Sequence, residues 1–200
     1  CIGCSSCLES CPQEALQTAT DELAIDRQRC TACGTCVEEC PSQALDMHGQ
    51  QWELEALVAE VVKDRAYFES SGGGVTVSGG EPILQATFAI AFLKRLRELG
   101  IHTALDTCGL CARQALLDAA AEADLVLFDL KSIDGHQHER FTGVDNRRIL
   151  ENLAHLRDFM RQHEQPHALW IRTPLIPGDT ADEQLIQDIG QFIALNMQDV

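Results

Sequence analysis

The run Cys1-x2-Cys4-x2-Cys7-x3-Cys11-Pro12 returns 29 residues later as Cys30-x2-Cys33-x2-Cys36-x3-Cys40-Pro41. Its flank repeats too, Pro12-Gln-Glu-Ala-Leu16 against Pro41-Ser-Gln-Ala-Leu45. Eight of the ten cysteines therefore lie within the first 40 residues of a 200-residue chain. Even cysteine counts in small secreted domains suggest disulfides. Thiols three residues apart, however, are poorly placed to bridge and well placed to wrap one metal centre. Residues 1–48 contain no aromatic side chain and few large aliphatics. Such a segment cannot close a sufficient core alone, so bound metal must supply much of its folding energy.

Both runs match the bacterial ferredoxin spacing, in which three thiolates hold one [4Fe–4S] cluster and the fourth reaches across to the other. Cys1, Cys4, Cys7 and Cys40 are assigned to one cluster, and Cys30, Cys33, Cys36 and Cys11 to the second. Iron in such clusters favours soft, anionic sulfur ligands. Two zinc sites are the competing reading. They leave the third cysteine of each triplet and both Cys-Pro pairs without a common explanation. A bare two-cluster module transfers electrons. Its acidic residues, among them Glu9, Glu14, Asp21, Glu22, Asp26, Glu38 and Glu39, would help steer a redox partner.

Over the whole chain 31 acidic residues face 15 basic ones, a formal net charge of −16. That balance argues against nucleic-acid and anionic-membrane partners, which require clustered Lys and Arg. No apolar run reaches the roughly 18 residues needed to span a bilayer. The chain lacks a starting Met and opens inside a motif, so it is expected to be a piece of a longer protein, truncated at both ends.

After residue 48 the pattern changes to amphipathic stretches alternating with short apolar runs. Helices are predicted over Trp52–Phe68, Leu84–Leu99, Ala112–Ala123, Arg147–Met160 and Gln184–Ile193, with strands at Val75–Val77, Ile101–Leu105, Leu125–Phe128 and Ala168–Ile171. Alternation of this kind means a parallel α/β domain whose ligand sits at the carboxyl ends of the strands. Leu125–Phe128 is apolar throughout, as expected of a strand covered on both faces.

Polar residues follow every strand: Ser78-Gly79-Gly80-Glu81-Pro82, Asp106-Thr107-Cys108-Gly109, Asp129-Leu130-Lys131, and Arg172 before Pro174 and Pro177-Gly178. Two glycines let a ligand approach the backbone, while exposed amides suit a carboxylate and Glu81 suits a cation. An acid beside carboxylate-binding amides is what a free amino-acid moiety requires. Neither a Gly-x-Gly-x-x-Gly fingerprint nor a Gly-x4-Gly-Lys-[Ser/Thr] loop is present. Cys108 and Cys111 read as small buried residues. The histidines show no ligand spacing, and His136 and His138 are expected to be exposed.

Two ferredoxin runs followed by Gly-Gly-Gly-Val-Thr-Val-Ser-Gly-Gly-Glu-Pro (72–82), Asp-Thr-Cys-Gly (106–109), Phe-Asp-Leu-Lys (128–131) and Thr-Gly-Val-Asp-Asn (142–146) resemble the glycyl-radical enzyme activating enzymes. These are radical S-adenosylmethionine proteins of the pyruvate formate-lyase activase type, in the subgroup with a ferredoxin insert. The resemblance implies a 2[4Fe–4S] ferredoxin-like module at 1–48 and a partial (β/α)6 barrel over 49–200. It implies that Ser78, Gly79, Gly80 and Glu81 line the methionine end of S-adenosylmethionine. Asp129, Leu130 and Lys131 would also contact it, Asp106 and Thr107 would hold a monovalent cation nearby, and Arg172 would lie close to the active site.

The implied reaction is reductive cleavage of S-adenosylmethionine to a 5′-deoxyadenosyl radical, which takes hydrogen from a backbone glycine of a partner enzyme. A flavodoxin or ferredoxin-type electron donor is implied as well, in the cytoplasm of an anaerobic or facultative cell. The family's own cluster needs a Cys-x3-Cys-x2-Cys loop, which this chain does not contain. The chain alone is therefore expected to be inactive, with a third [4Fe–4S] cluster in the parent. Two alternatives stay open: a non-catalytic ferredoxin fusion, and another radical enzyme with auxiliary clusters.

Overall fold

The repeat of the sequence reappears as a repeat of backbone conformation. Left-handed residues occur in pairs 29 apart: Gly3 (φ 71°) with Ala32 (52°), Ser5 (63°) with Gly34 (84°), and Glu14 (46°) with Gln43 (51°). A side chain at positive φ is strained. Four such non-glycine residues in so short a stretch mark a backbone bent for a purpose other than packing. The second residue of each matched pair of loops leads into a short helix, α1 (Ser6–Ser10) and α2 (Thr35–Glu38). Strands β1 (Leu16–Ala19) and β2 (Glu22–Ile25) pair antiparallel, Leu16 opposite Ile25. The computed structural model describes residues 1–19 and 22–198, so Asp21 lies outside the described residues.

By its contacts the chain divides into Cys1–Trp52 and Glu53–Val200. Among the described residues of the first unit only Ala15 and Leu16 are buried apolar residues, which is no core in the ordinary sense.

The second unit is a four-stranded parallel sheet in sequential order: β3 (Gly74–Val77), β4 (His102–Thr107), β5 (Leu125–Asp129) and β6 (Ala168–Arg172). Register runs straight across, Val77 beside Leu105 and Leu105 beside Val126, with Phe128 beside Ile171. Because side chains alternate along a strand, Leu105, Val126 and Phe128 share one face. There they pack with residues of α5 (Ala86–Glu98), α6 (Arg113–Ala120), α8 (Arg147–Met160) and α9 (Glu183–Asn196). The alternate residues of β5, Leu125 and Leu127, are only part-buried, and Trp170 on β6 is 61% exposed. The apolar run of β5 thus has one fully covered face rather than two.

Two element predictions need correction. The helix expected over Trp52–Phe68 is two helices, α3 (Leu54–Val62) and α4 (Arg65–Ser71), broken at Lys63-Asp64, where no glycine or proline signals a break. A helix α7 (Gly135–Thr142) occupies a stretch to which the sequence pattern assigned no element. His138 on it is 3% exposed, not solvent-facing, because its Nδ1 meets the carbonyl of Val144 at 2.9 Å and closes the turn after the helix.

Candidate functional site

In the first unit a cavity of about 210 Å³ is lined by Cys1, Cys4, Cys7 and Cys40, with Leu23, Ile25 and Leu45 around them. The fourth cysteine comes from the other repeat. Cys36 has the complementary neighbours: its thiol is pushed up by burial and by the charges of Cys11, Cys33 and Cys30. The left-handed loops turn donors onto the sulfurs. Ser6 Oγ reaches Cys4 Sγ at 3.4 Å and the Ala44 amide reaches Cys40 Sγ at 3.2 Å. The Ala15 and Ala32 amides reach Cys11 and Cys30 at 3.3 and 3.4 Å. Thr35 Oγ1 lies 3.4 Å from Cys33 Sγ. These contacts pull the thiols of Cys4 and Cys33 down, through Ser6 and Thr35 respectively. Cys40 is brought to about 7 by the Ala44 amide and the Ser42 hydroxyl.

Anionic sulfur ringed by donors is the donor set an iron–sulfur cluster requires. Among the described residues no three His, Cys, Asp or Glu side chains close on one point as a single metal ion demands.

In the second unit the expected residues gather at the carboxyl ends of the strands. Asp129 and Arg172 end β5 and β6 and pair in register, and Asp106 is the last residue but one of β4. The Arg172 guanidinium spans both acids, bonded to Asp106 Oδ1 and, at 3.2 Å, to Asp129 Oδ1. Lys131 Nζ donates to Asp129 Oδ2 at 3.2 Å, and Ser78 Oγ donates to Asp106 Oδ2 at 3.0 Å. One chain of charge-assisted bonds therefore runs Lys131, Asp129, Arg172, Asp106, Ser78 across all four strand ends. Partial burial works against the guanidinium's charge. The two carboxylates outweigh it, so Arg172 holds its proton more tightly than an ordinary arginine.

Glu81 faces inward. Its carboxylate accepts from Thr107 Oγ1 at 2.8 and 2.9 Å, the Cys108 amide at 2.9 Å, the Cys108 thiol at 3.1 Å and the Ile83 amide at 3.2 Å. The last contact caps a 3-10 helix, Pro82–Gln85. Glu81 is thus saturated within the chain and clamps the glycine loop to the end of β4. Gly79 (φ 95°) and Gly80 (φ 57°) meet no atom within 4 Å of where a side chain would begin, which leaves their backbone open to a ligand. Of the two residues expected near a monovalent cation, Thr107 is bonded to Glu81, and Asp106 to Arg172 and Ser78.

Several supporting residues carried no signal in the sequence. Asn152 on α8 donates to the carbonyls of Gly109 and Cys111 at 2.7 and 3.1 Å, pinning the loop after β4. Asn146 donates to the Ser132 carbonyl at 2.8 Å, which gives Thr-Gly-Val-Asp-Asn a structural task. Thr173 Oγ1 donates to the Leu130 carbonyl at 2.7 Å. Cys111 is buried, as expected, but Cys108 is in contact with Glu81 and belongs to the site.

The sequence matches the Radical SAM superfamily over residues 27–189 and a 4Fe-4S dicluster domain over residues 1–50. It is 39% identical to the isethionate sulfite-lyase activating enzyme of Desulfovibrio desulfuricans, over 95% of this chain and 60% of that protein. It is 38% identical to the (2S)-3-sulfopropanediol sulfolyase activating enzyme of Bilophila wadsworthia, over 95% of this chain and 62% of that protein. The chain thus spans about 60% of the length of these relatives. A solved domain of the pyruvate-formate lyase-activating enzyme from Bacteroides vulgatus superposes with a TM-score of 0.54 at 38% identity, covering 61% of this chain and 72% of that one.

Proposed function

Because the chain belongs to the radical S-adenosylmethionine superfamily, in its activating-enzyme branch, we propose that its parent protein activates a glycyl-radical enzyme. Residues 1–48 would be a two-cluster electron relay, with Cys1, Cys4, Cys7 and Cys40 holding one [4Fe–4S] cluster and Cys30, Cys33, Cys36 and Cys11 the other. Residues 49–200 would be part of the barrel that holds S-adenosylmethionine. When bound and reduced by a third cluster, S-adenosylmethionine supplies a carbon-centred radical able to take hydrogen from a backbone glycine of the partner enzyme.

The observation that carries this reading is the bonded row across four strand ends beside an open glycine loop. A zwitterionic amino-acid moiety needs neutral surroundings with donors and acceptors both fixed. Two acids and two bases in one chain provide that, and each side chain is held before the ligand arrives. Gly79 and Gly80 would present backbone groups to the methionine carboxylate and amine. Asp106 and Asp129 would accept hydrogen bonds from the ammonium, Lys131 and Arg172 would attract the carboxylate, and Leu130 would pack beneath. Glu81 and Thr107 would keep the glycine loop in place. No helix among the described residues is long and apolar enough to cross a membrane. The parent would take its electrons from a flavodoxin or ferredoxin-type donor in the cytoplasm.

The test has two stages. Anaerobic iron and sulfide analysis of the reconstituted chain, with EPR after reduction, should give close to eight irons and two interacting cluster signals (about eight follows from two four-iron clusters). The parent protein carrying the Cys-x3-Cys-x2-Cys loop should then release 5′-deoxyadenosine and leave a glycyl radical on a co-expressed partner. Zinc in place of iron would sink the redox reading. Clusters without deoxyadenosine would leave a plain electron carrier.

A further inference from the structure

Offset by 29 residues, the two repeats present matching donors to matching sulfurs. Ser6 corresponds to Thr35, and each hydroxyl lies 3.4 Å from the cysteine two residues before it. Ala15 corresponds to Ala44, and their amides donate to Cys11 and Cys40 at 3.3 and 3.2 Å. The correspondence fails at Gln13 and Ser42. Ser42 Oγ lies 3.7 Å from Cys40 Sγ and lines the cavity ringed by Cys1, Cys4, Cys7 and Cys40. Gln13 is exposed, and among the described residues Cys11 accepts only from the Ala15 amide. The second repeat has private donors of its own, the Ala32 amide on Cys30 at 3.4 Å and the Thr31 side chain on Cys33.

Reduction of a cubane cluster adds negative charge that its thiolates share. A donor to a ligand sulfur therefore favours the reduced form and raises the potential. We propose that Ser42 raises the potential of the cluster held by Cys1, Cys4, Cys7 and Cys40. The proposal rests on the two-cluster reading above.

The test is an anaerobic EPR-monitored potentiometric titration of the iron-reconstituted chain, compared with its Ser42→Ala and Gln13→Ser variants. Ser42→Ala should move one of the two midpoints to more negative potential, leave the other in place, and keep the iron content. Gln13→Ser places a hydroxyl at the matching position and should move the other midpoint to more positive potential. Unmoved midpoints in Ser42→Ala would overturn the proposal, as would equal movement of both or loss of iron. Movement of the same midpoint by both variants would overturn it together with the crosswise ligand assignment. Zinc or a single cluster in the unmodified chain would instead overturn the reading beneath it.

Discussion

Gly109 has φ 72°, and a side chain begun there would meet the Phe128 ring at 2.4 Å. Phe128 is fully buried, so the ring has nowhere to go. Gly109→Ala combines backbone strain with overpacking and is expected to destabilise the second unit by about 2–4 kcal/mol in urea unfolding. Gly80→Ala, at φ 57° but in open space, should cost only about 1–2 kcal/mol. Thr107 is 2% exposed, donates to Glu81 and accepts from the Gly109 amide at 3.0 Å. Thr107→Val keeps the shape, leaves the Gly109 amide without its acceptor and takes one donor from Glu81, for an expected loss of about 1–3 kcal/mol by the same measurement. Burial, with the Glu81 charge adding to it, pushes the Cys111 thiol from an ordinary value of 9.0 to about 12. The folded form therefore keeps a proton that the unfolded form releases. Its contribution to stability is present below pH 9 and is lost as pH rises toward 12. The urea midpoint should fall between pH 8 and pH 10.5, less steeply in Cys111→Val.

At the scale of elements, the loop after β4 depends on a helix far along the chain. Asn152 is buried, and its amide is the donor for two carbonyls of that loop. Asn152→Leu should leave both carbonyls unsatisfied, cost about 1–3 kcal/mol, and speed hydrogen exchange at Gly109–Ala112 more than in β5. The sheet, most helices and the strand-end residues were legible because hydrophobic periodicity and the carboxyl-end rule are local or topological signals. The break at Lys63-Asp64 was not, since no residue there forbids a helix and the apolar stripe runs through it. Asn152 was equally silent: a single asparagine on an amphipathic helix states its partner only once the fold brings residue 109 beside it. For Glu81 the sequence announced an acid at a ligand loop but not that Thr107, Cys108 and Ile83 would occupy it.

At the scale of the molecule, the two units owe their stability to different things. One has a sheet with helices packed on it, while the other has two buried apolar residues, four strained backbone positions and eight free cysteines. Iron chelation under reducing conditions is expected to unfold Cys1–Trp52 while Glu53–Val200 keeps its helical circular dichroism. Limited proteolysis should then remove the first segment and spare the second.

The crosswise placement of Cys40 and Cys11 bears on assembly. On the proposed ligand assignment, a cluster built on either triplet would draw its last ligand from the opposite half, and in doing so would fold the opposite triplet into position. Filling one site therefore raises the affinity of its neighbour, and chains supplied with half their iron should sort into empty and full molecules with few half-loaded ones between. Native mass spectrometry during an iron titration would show whether loading is stepwise or all at once.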